Sequence, residues 1–204
     1  MNEGIANIIR DRIVELPFVD KISGLVRTLA YTDSNDKGKV RKSYPISCDV
    51  CFDDCMKDGK KKLYDLIPDS SKRSVIYFED NGVRSVGAQG NLQNFESSLR
   101  LVGWLNMAKL GRNDCSITPA VIASILAAVP VTYLNSNPLV RVKIDPGTIE
   151  PKTPAIFSRY TYDETVTQYL LHPYDYFAIN FVTKFSVARA CVEDFQVNGS
   201  DVCS

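Results

Sequence analysis

Hydrophobic residues with helical spacing define two segments of the chain. Near the start, apolar residues recur every three or four positions and Pro17 follows the last of them, which predicts an amphipathic helix. These positions are Ile5, Ile8, Ile9, Ile13 and Leu16. A second helix is predicted over residues 118–129, where Thr118 is the N-cap and Pro119 takes the first helical position. Pro130 ends this second helix.

Alternation of polar and apolar residues predicts a first hairpin. Residues 23–31 alternate as in a strand, the polar run 33–39 supplies turn formers, and a second alternating run begins at Val40. Pro45 within the second run favours an edge position, because proline cannot donate to a ladder. The polar segment 56–72, which is punctuated by glycine and proline, is predicted to be a surface loop.

A longer hairpin is predicted in the middle of the chain. The β-rich run SVIYFED (74–80) is followed by Asn-Gly at 81–82, the strongest short hairpin signal in the sequence. A polar, glycine-bearing arm follows. Residues 92–106 then alternate, which predicts a long strand with one polar face and with Trp104 near its inner end.

The second half of the chain completes a mixed fold. LVRVKID (139–145) and the run 177–189 alternate as strands, and residues 153–171 are predicted to be helical or irregular. The fold class expected is α+β, a mainly antiparallel sheet with long hairpin arms, flanked on one face by two or three helices. We expect a single domain, 1–204, with extended arms or loops near 33–39, 56–72 and 81–94.

The composition and net charge of the chain exclude a strong electrostatic field around the whole protein. The chain has 204 residues with 45% hydrophobic and 24% charged residues, and 24 basic residues balance 24 acidic ones. A net charge of zero gives no attraction to nucleic acid or to an anionic membrane. The start of the chain has no signal-peptide pattern, and the most apolar window, 121–131, is about half a membrane span. Free thiols in a reducing compartment are therefore expected.

The stretch CDVCFDDC (48–55) is the only obvious chemical signature. Cys48 and Cys51 continue an alternating strand, so their side chains are expected on opposite faces, and Cys55 follows in a turn. A zinc site needs a knuckle and four ligands, whereas the only histidine is His172 and the other cysteines are scattered. The sequence favours structural thiols. The alternative is a small metalloprotein that uses these three cysteines with Asp53.

Other catalytic chemistry is not indicated. Any histidine-based scheme would depend on His172, which directly precedes a proline at an element boundary. The sequence contains no nucleophile elbow, zincin or P-loop motif, and its acidic pairs are adjacent, so their carboxylates diverge on a strand. We therefore expect no enzyme activity and no cofactor.

The element order resembles that of a phage protein family. SVIYFEDNGVRSVGAQGNLQNFESSLRLVGWLN (74–106), preceded by an amphipathic helix and a hairpin, is similar to the tail-terminator and neck (head-to-tail connector) proteins of tailed double-stranded DNA bacteriophages. The segments RLVGWLN (100–106) and LYDLIPD (63–69) most resemble sequences of crAss-like phages of Bacteroides. The resemblance extends over residues 1–110 and rests on the order of the predicted helices and strands.

The resemblance implies a virion protein that does not catalyse. It implies a homo-oligomeric ring of six or twelve copies around the DNA channel, between portal-side and tail-side proteins, made in the bacterial cytoplasm and not membrane-bound. A hairpin or loop would reach the adjacent subunit through the arm at 81–94 or the tip at 33–39. The candidate interface residues are Arg84, Gln89, Asn91, Asn94 and Phe95 on the arm and Lys37 and Lys39 on the tip. A monomeric phage adaptor or cargo protein is a further alternative.

Overall fold

Two α-helices and nine strands make up the part of the chain that the structure describes. The structure is a computed structural model, and it describes residues 2–32, 40–48, 63–111, 117–136, 139–150, 152–162 and 170–188. In chain order the elements are α1 (Asn2–Ile13), β1 (Lys21–Leu25), β2 (Arg27–Thr32), β3 (Val40–Cys48), β4 (Leu63–Asp65), β5 (Ser74–Gln89), β6 (Leu92–Asn106), α2 (Ile117–Ala128), β7 (Thr132–Ser136), β8 (Leu139–Glu150), a 3₁₀ helix (Pro154–Phe157) and β9 (Tyr174–Ala188).

The larger sheet has six strands in the order β1-β5-β6-β9-β8-β7. Only β1 runs parallel to its neighbour, β5, and the other adjacent pairs are antiparallel. At its centre, β6 pairs with β9 along its whole length, from Leu92 opposite Ala188 to Asn106 opposite Tyr174. The predicted α+β class with a mainly antiparallel sheet is therefore confirmed.

Alternation along the central strands separates two hydrophobic cores. On one face, Ile76, Leu101 and Ile179 belong to a core that includes α1 and α2. The helices contribute Ile5, Ala6, Ile9, Ile13, Val121 and Ile125 to this core. On the other face, Tyr77 and Trp104 belong to a second core with residues of the 3₁₀ helix and the segments around it. Both helices thus lie on one face of the sheet, as predicted.

Both predicted α-helices are confirmed, with small shifts at their ends. Helix α1 ends at Ile13, before Pro17, and α2 ends at Ala128, before Pro130. The region predicted as helical or irregular begins with the 3₁₀ helix, and residues 163–169 lie outside the described part of the chain. Within the described residues, neither α-helix is long and apolar enough to cross a membrane.

Residues 23–31, predicted as one strand, belong to two sheets. β1 pairs with β5, whereas β2 pairs with β3 in a three-stranded sheet of order β2-β3-β4. The change of sheet falls at Val26, whose backbone N–H donates to the Phe78 carbonyl at 2.9 Å. The β2–β3 hairpin is as predicted. Its polar tip, 33–39, lies outside the described residues.

β3 is the central strand of this smaller sheet, so the edge position predicted from Pro45 is wrong. β4 pairs only with residues 46–48 of β3, and Thr161 forms an isolated bridge with Ser43. Pro45 lies between these contacts, and its carbonyl accepts a hydrogen bond from the Leu66 N–H at 2.8 Å. A proline is tolerated at this gap because no ladder bond there needs its missing N–H.

Two further strands were not predicted. β4 lies within segment 56–72, which the sequence predicts to be a loop, and it is only three residues long. β7 is a five-residue strand that directly follows α2 and pairs with β8. Both strands are too short to show a clear alternation of their own. The strands predicted at 139–145 and 177–189 are confirmed as β8 and β9.

The Asn-Gly pair at 81–82 forms a bulge and not the predicted hairpin turn. β5 continues through it, and the chain turns at Gly90. Gly82 has φ 104° and Gly90 has φ 58°, values that favour glycine. The Asp80 carboxylate accepts a hydrogen bond from the Gly82 N–H at 2.7 Å, which fixes the bulge. Pairing of β6 with both β5 and β9 extends the strands past the local turn signal.

A glycine on β6 makes room for a buried aromatic ring. Gly103 lies directly opposite Phe177 of β9, and the ring of Phe177 covers it. A Cβ atom at Gly103 would lie 2.5 Å from Cε1 of that ring. The close approach of ring and backbone therefore requires glycine here.

We predict that Gly103→Ala lowers the free energy of unfolding by roughly 1–3 kcal/mol, because the added methyl group overpacks a filled core. Chemical denaturation would measure the change. The control is the double variant Gly103→Ala/Phe177→Leu, in which the smaller side chain makes room for the methyl group. The two substitutions should then show a favourable coupling energy. Strictly additive effects would contradict the assigned contact.

Candidate assembly interface

β5 changes from buried to exposed at one point along its length. Its residues from Ser74 to Glu79 are all buried, and those from Asp80 to Gln89 are all exposed. The exposed half pairs with the first half of β6, so the two form a hairpin. We call residues 80–98 the arm.

The arm is supported along one side only. Residues 92–98 of β6 pair with residues 182–188 of β9, which places the rest of the larger sheet on that side. On the other side, β1 pairs with β5 only as far as Phe78. Beyond Phe78, no strand of the described part of the chain pairs with the outer edge of β5. The arm therefore forms an outer edge of the sheet.

The base of the arm is held from several directions. The Asp80 carboxylate accepts a hydrogen bond from the Asn2 side-chain amide of α1 at 2.7 Å, in addition to the Gly82 N–H. Arg159 donates to the Asp80 carbonyl at 3.1 Å and to the Asn81 side-chain oxygen. These bonds join the bulge to α1 and to the segment after the 3₁₀ helix, so they fix the direction in which the arm leaves the body.

An ionic cluster closes the second core beside the arm. The Arg100 guanidinium makes two parallel hydrogen bonds to the Glu150 carboxylate, both at 2.6 Å, and a third to Glu79 at 2.8 Å. It also donates to the Ile156 carbonyl at 3.0 Å. The Glu79 side chain is 1% exposed and that of Arg100 is 9% exposed. The cluster thereby joins β5, β6, β8 and the 3₁₀ helix.

Two members of the cluster, Arg100 and Glu150, have pKa values shifted in the direction that favours their charged forms. Burial opposes the charge on Arg100, but hydrogen bonds to Glu150 and Glu79 outweigh it and raise the pKa of Arg100 above its ordinary value. The hydrogen bonds from Arg100 lower the pKa of Glu150 below its ordinary value, more than burial raises it. Arg159 lies 3.4 Å from Glu79 as a second cation. Two carboxylates and two guanidinium groups balance each other.

Three tyrosines line the interior beside this cluster. Burial raises the pKa of Tyr77, Tyr160 and Tyr162, so all three hydroxyl groups stay protonated near neutral pH. The hydroxyls of Tyr77 and Tyr162 and one oxygen of Glu79 make no hydrogen bond within the described residues. Because the Arg100 bonds cross-link four segments, we assign the cluster a structural role.

A row of charged residues crosses the exposed face of the arm. Arg84 pairs with Glu96 at 2.6 Å, and Lys184 of β9 lies 4.0 Å from the same carboxylate. Lys143 of β8 lies opposite Lys184 in the register and pairs with Asp145 at 2.9 Å. Both signs are interspersed. Such a row suits contact with a protein surface or with water better than attraction of a polyanion.

The structure places the candidate arm residues in two groups. Arg84, Gln89 and Asn91 are exposed, and they lie on the outer strand or at the turn. Asn94 is partly buried, and its side-chain oxygen accepts a hydrogen bond from the Ser186 hydroxyl at 2.7 Å. The first group is accessible to a neighbour, whereas Asn94 is engaged within the sheet.

Phe95 connects the arm to the hydrophobic core. Its ring stacks on that of Phe185 at 5.5 Å and packs partly buried against the core that contains the helices. The two residues lie directly opposite each other on β6 and β9. Its packing thus fixes the arm to β9 and contributes to stability.

Several candidate residues lie outside the described part of the chain, namely Lys37, Lys39, Cys51, Asp53 and Cys55. Of Cys48, the structure describes only the backbone, at the end of β3. Among the described residues, no group of three or more histidine, cysteine or acidic side chains could hold a metal ion. His172 is exposed in a turn before β9.

Sequence reasoning missed the residues that hold the arm in place. Asp80 and Arg159 act together only because the fold brings positions 79 residues apart into contact. Arg100 was predicted on the polar face of a strand, and the structure shows that this face is buried at that point. The missed signal was an arginine between apolar residues on a strand that is apolar on both faces.

No protein-family model matches the chain, and no curated protein matches its sequence significantly.

We predict that Arg100→Met lowers the free energy of unfolding by roughly 3–5 kcal/mol, because it leaves the buried Glu79 carboxylate without its closest cation. Chemical denaturation would measure the loss. Arg84→Met is the matched control on the same sheet face. Its ion pair is exposed, so it should cost less than about 1 kcal/mol. Equal effects of the two substitutions would contradict the structural role of the cluster.

We predict that Glu150 makes stability fall in acid. Its pKa is lower in the folded protein than the ordinary value of 4.5, so its contribution is present above pH 4.5 and is lost as the pH falls through the folded value. The loss is about 1.4 kcal/mol for each unit of pKa difference. Denaturation across the acid range should show a flatter profile for Glu150→Gln. A wild-type slope for Glu150→Gln would refute the assignment.

Proposed function

We propose that the chain is a structural subunit of the virion of a tailed double-stranded DNA phage. In this role it forms a homo-oligomeric ring in the neck or tail, and the ring forms part of the DNA conduit. The observation that carries the proposal is the arm, in which ten consecutive residues of one strand, Asp80 to Gln89, are exposed. It agrees with the resemblance in element order to tail-terminator and neck proteins.

An exposed strand of this length gains little in one isolated copy. β5 and β6 have 16 and 15 residues, whereas strands of globular proteins usually have about 5–6. Ordering each backbone residue costs roughly 1–2 kcal/mol, and buried apolar area normally offsets that cost. The second half of β5 buries little, so contact with a neighbouring subunit would supply the missing burial. Assembly through such arms fits a ring subunit.

The electrostatics suit a DNA conduit. The chain has no net charge, and the charges on the exposed face of the arm alternate in sign. A conduit wall with balanced charges neither binds phosphate groups tightly nor repels them strongly, so DNA can pass along it. Contact with DNA would be by proximity and independent of base sequence.

Such a subunit acts through its contact surfaces and does not catalyse a reaction. Its partners are copies of itself, six or twelve in a ring, and the virion proteins on the portal side and the tail side. Each contact between neighbours is heterologous, because a ring closes only when one patch meets a different patch of the next copy. The exposed arm residues Arg84, Gln89 and Asn91 are the contacts proposed for one of these patches.

Native mass spectrometry and electron microscopy of the purified protein test the proposal together. We expect a metal-free species of six or twelve copies, with a central opening in the images. Glutamate at Arg84, Gln89 and Asn91 should shift this species to smaller forms. The control, Arg12→Glu/Val14→Glu, changes two exposed residues away from the arm and should keep the ring.

Two outcomes would count against the proposal. A monomer with stoichiometric zinc or an iron–sulfur cluster would favour the metalloprotein that uses Cys48, Cys51 and Cys55. A metal-free monomer that is also missing from the neck and tail of purified phage particles would exclude the ring. A monomer that is present in particles as a ring would support assembly on the virion itself.

A further inference from the structure

Besides the outer side of the end strand β1, the larger sheet has two open edges, which lie on opposite sides of the sheet. One is the outer side of the arm, on β5 beyond Phe78, and the other is the outer side of β7. No strand of the described residues pairs with either edge. Each edge therefore presents backbone N–H and C=O groups that another strand could bond.

Neither edge has the side chains that normally protect an open strand. Residues 83–89 (VRSVGAQ) contain one arginine and no lysine or proline, and residues 131–136 (VTYLNS) contain no charge. Natural edges are protected by lysine, proline or inward-pointing charges, and also by bulges and short strand length, of which the arm edge has bulges and β7 is short. A second bulge, between Ser85 and Gly87, adds twist and curvature to the first edge. Closing a ring of sheets needs such curvature.

Exposed apolar side chains also collect at these two edges. Val83 is 41% exposed and Val86 51% exposed on the arm, and Val131, next to β7, is 60% exposed. These three are half of the exposed large hydrophobic residues in the described part of the chain, the others being Val14, Ile149 and Leu171. Contact between the two edges would cover all three valines.

The two edges lie at the same level of the sheet. Val83 is opposite Ser97 of β6, and Ser97 is opposite Thr183 of β9. Thr183 is opposite Ile144 of β8, whose N–H donates to the Val131 carbonyl at 2.9 Å. Val83 and Val131 therefore lie at the same height along the strands, and each is at the start of one open edge.

We propose that the arm edge of one copy (residues 83–89) pairs with the β7 edge (residues 131–136) of a second copy, extending the sheet from subunit to subunit. This inference rests on the proposed function, for which it names the contact between neighbours. The occupant is a second copy because one molecule carries both unprotected edges, at matching levels and on opposite sides. A contact of this kind is heterologous, as a ring requires.

The strand directions specify the pairing. Neighbouring strands alternate from β5 through β6, β9 and β8 to β7, so β5 and β7 point the same way. A rotation axis parallel to the strands keeps that direction, so the arm edge meets the β7 edge of the next copy as a parallel pair. Two arm edges related by a twofold axis would pair antiparallel and would give a closed dimer, which is the rival arrangement.

The hydrogen bonds identify backbone groups that face outward. The Val131 carbonyl points inward to β8, so the next residue, Thr132, points its N–H to the open side. On β5 the Phe78 carbonyl points to β1, and through the register Ser85 shares that outward direction. A proline at Ser85 or Thr132 therefore removes one outward N–H without breaking a bond inside the sheet.

Four single substitutions test the proposal through these two N–H groups. Ser85→Pro and Thr132→Pro should each abolish the wild-type oligomer in native mass spectrometry. Ser85→Ala and Thr132→Val are the matched controls, because they change the side chain and keep the N–H, and they should keep the oligomer. Mixing the two proline variants should give a discrete heterodimer, because each supplies the edge that the other has lost.

The remaining outcomes would each overturn the proposal. Proline variants that keep the full wild-type oligomer would show that the ring forms through other surfaces. This result would exclude the proposed contact and leave the proposed function unaffected. Dimers of Thr132→Pro alone would show twofold pairing of arms. A wild type that is monomeric at every concentration would show that free copies do not pair through these edges, which overturns the proposal, and the particle analysis above would then decide the function separately.

A second measurement covers the case in which a proline variant does not fold, as circular dichroism would report. Hydrogen exchange of the wild-type protein should then show the amides of Ser85 and Thr132 protected in the oligomer and exchanging rapidly after dilution to monomer. Rapid exchange of both amides in the oligomer would contradict strand pairing at these edges.

Discussion

The continuous ladder between β6 and β9 is the constraint on which the rest of the structure depends. It pairs all residues from Leu92 to Asn106, and every other strand of the larger sheet is added outside it. Because side chains alternate along both strands, one register fixes which residues enter each core. A slip by one residue would exchange the two faces. The ladder therefore determines where α1 and α2 pack and where the second core forms.

The Arg100 cluster marks the point where this ladder changes its surroundings. On the side toward the body, residues 74–79 of β5 and 99–106 of β6 are buried, and on the other side all β5 residues of the arm are exposed. A buried ion pair contributes little net stability, yet its geometry is demanding. Glu79, Arg100 and Glu150 meet only if the four strands β5, β6, β9 and β8 have the correct register. The cluster therefore specifies register at the base of the arm, where apolar packing ends.

Much of the fold follows from the sequence, because the helices and long strands carry their own periodicity. The failures are at positions where distant contacts outweigh local signals. Asn-Gly at 81–82 is a strong turn signal, yet pairing with β6 on one side and the Asp80 and Arg159 contacts turn it into a bulge. The sequence predicted an arm at 81–94, and residues 81–91 of it are exposed in the structure. The stacking of Phe95 on Phe185 depends on a register that one strand alone does not reveal.

Rigidity at the base of the arm has a consequence for assembly. A loose hairpin would lose backbone and side-chain freedom on binding, and that loss weakens association. Here Asp80 and Arg159 hold the bulge, and pairing with β9 supports β6 along the arm, so most of the ordering cost is met during folding. The outer edge of β5 is then presented in the conformation that a neighbouring strand requires. Preorganisation of this kind would favour the edge contact between copies that we propose.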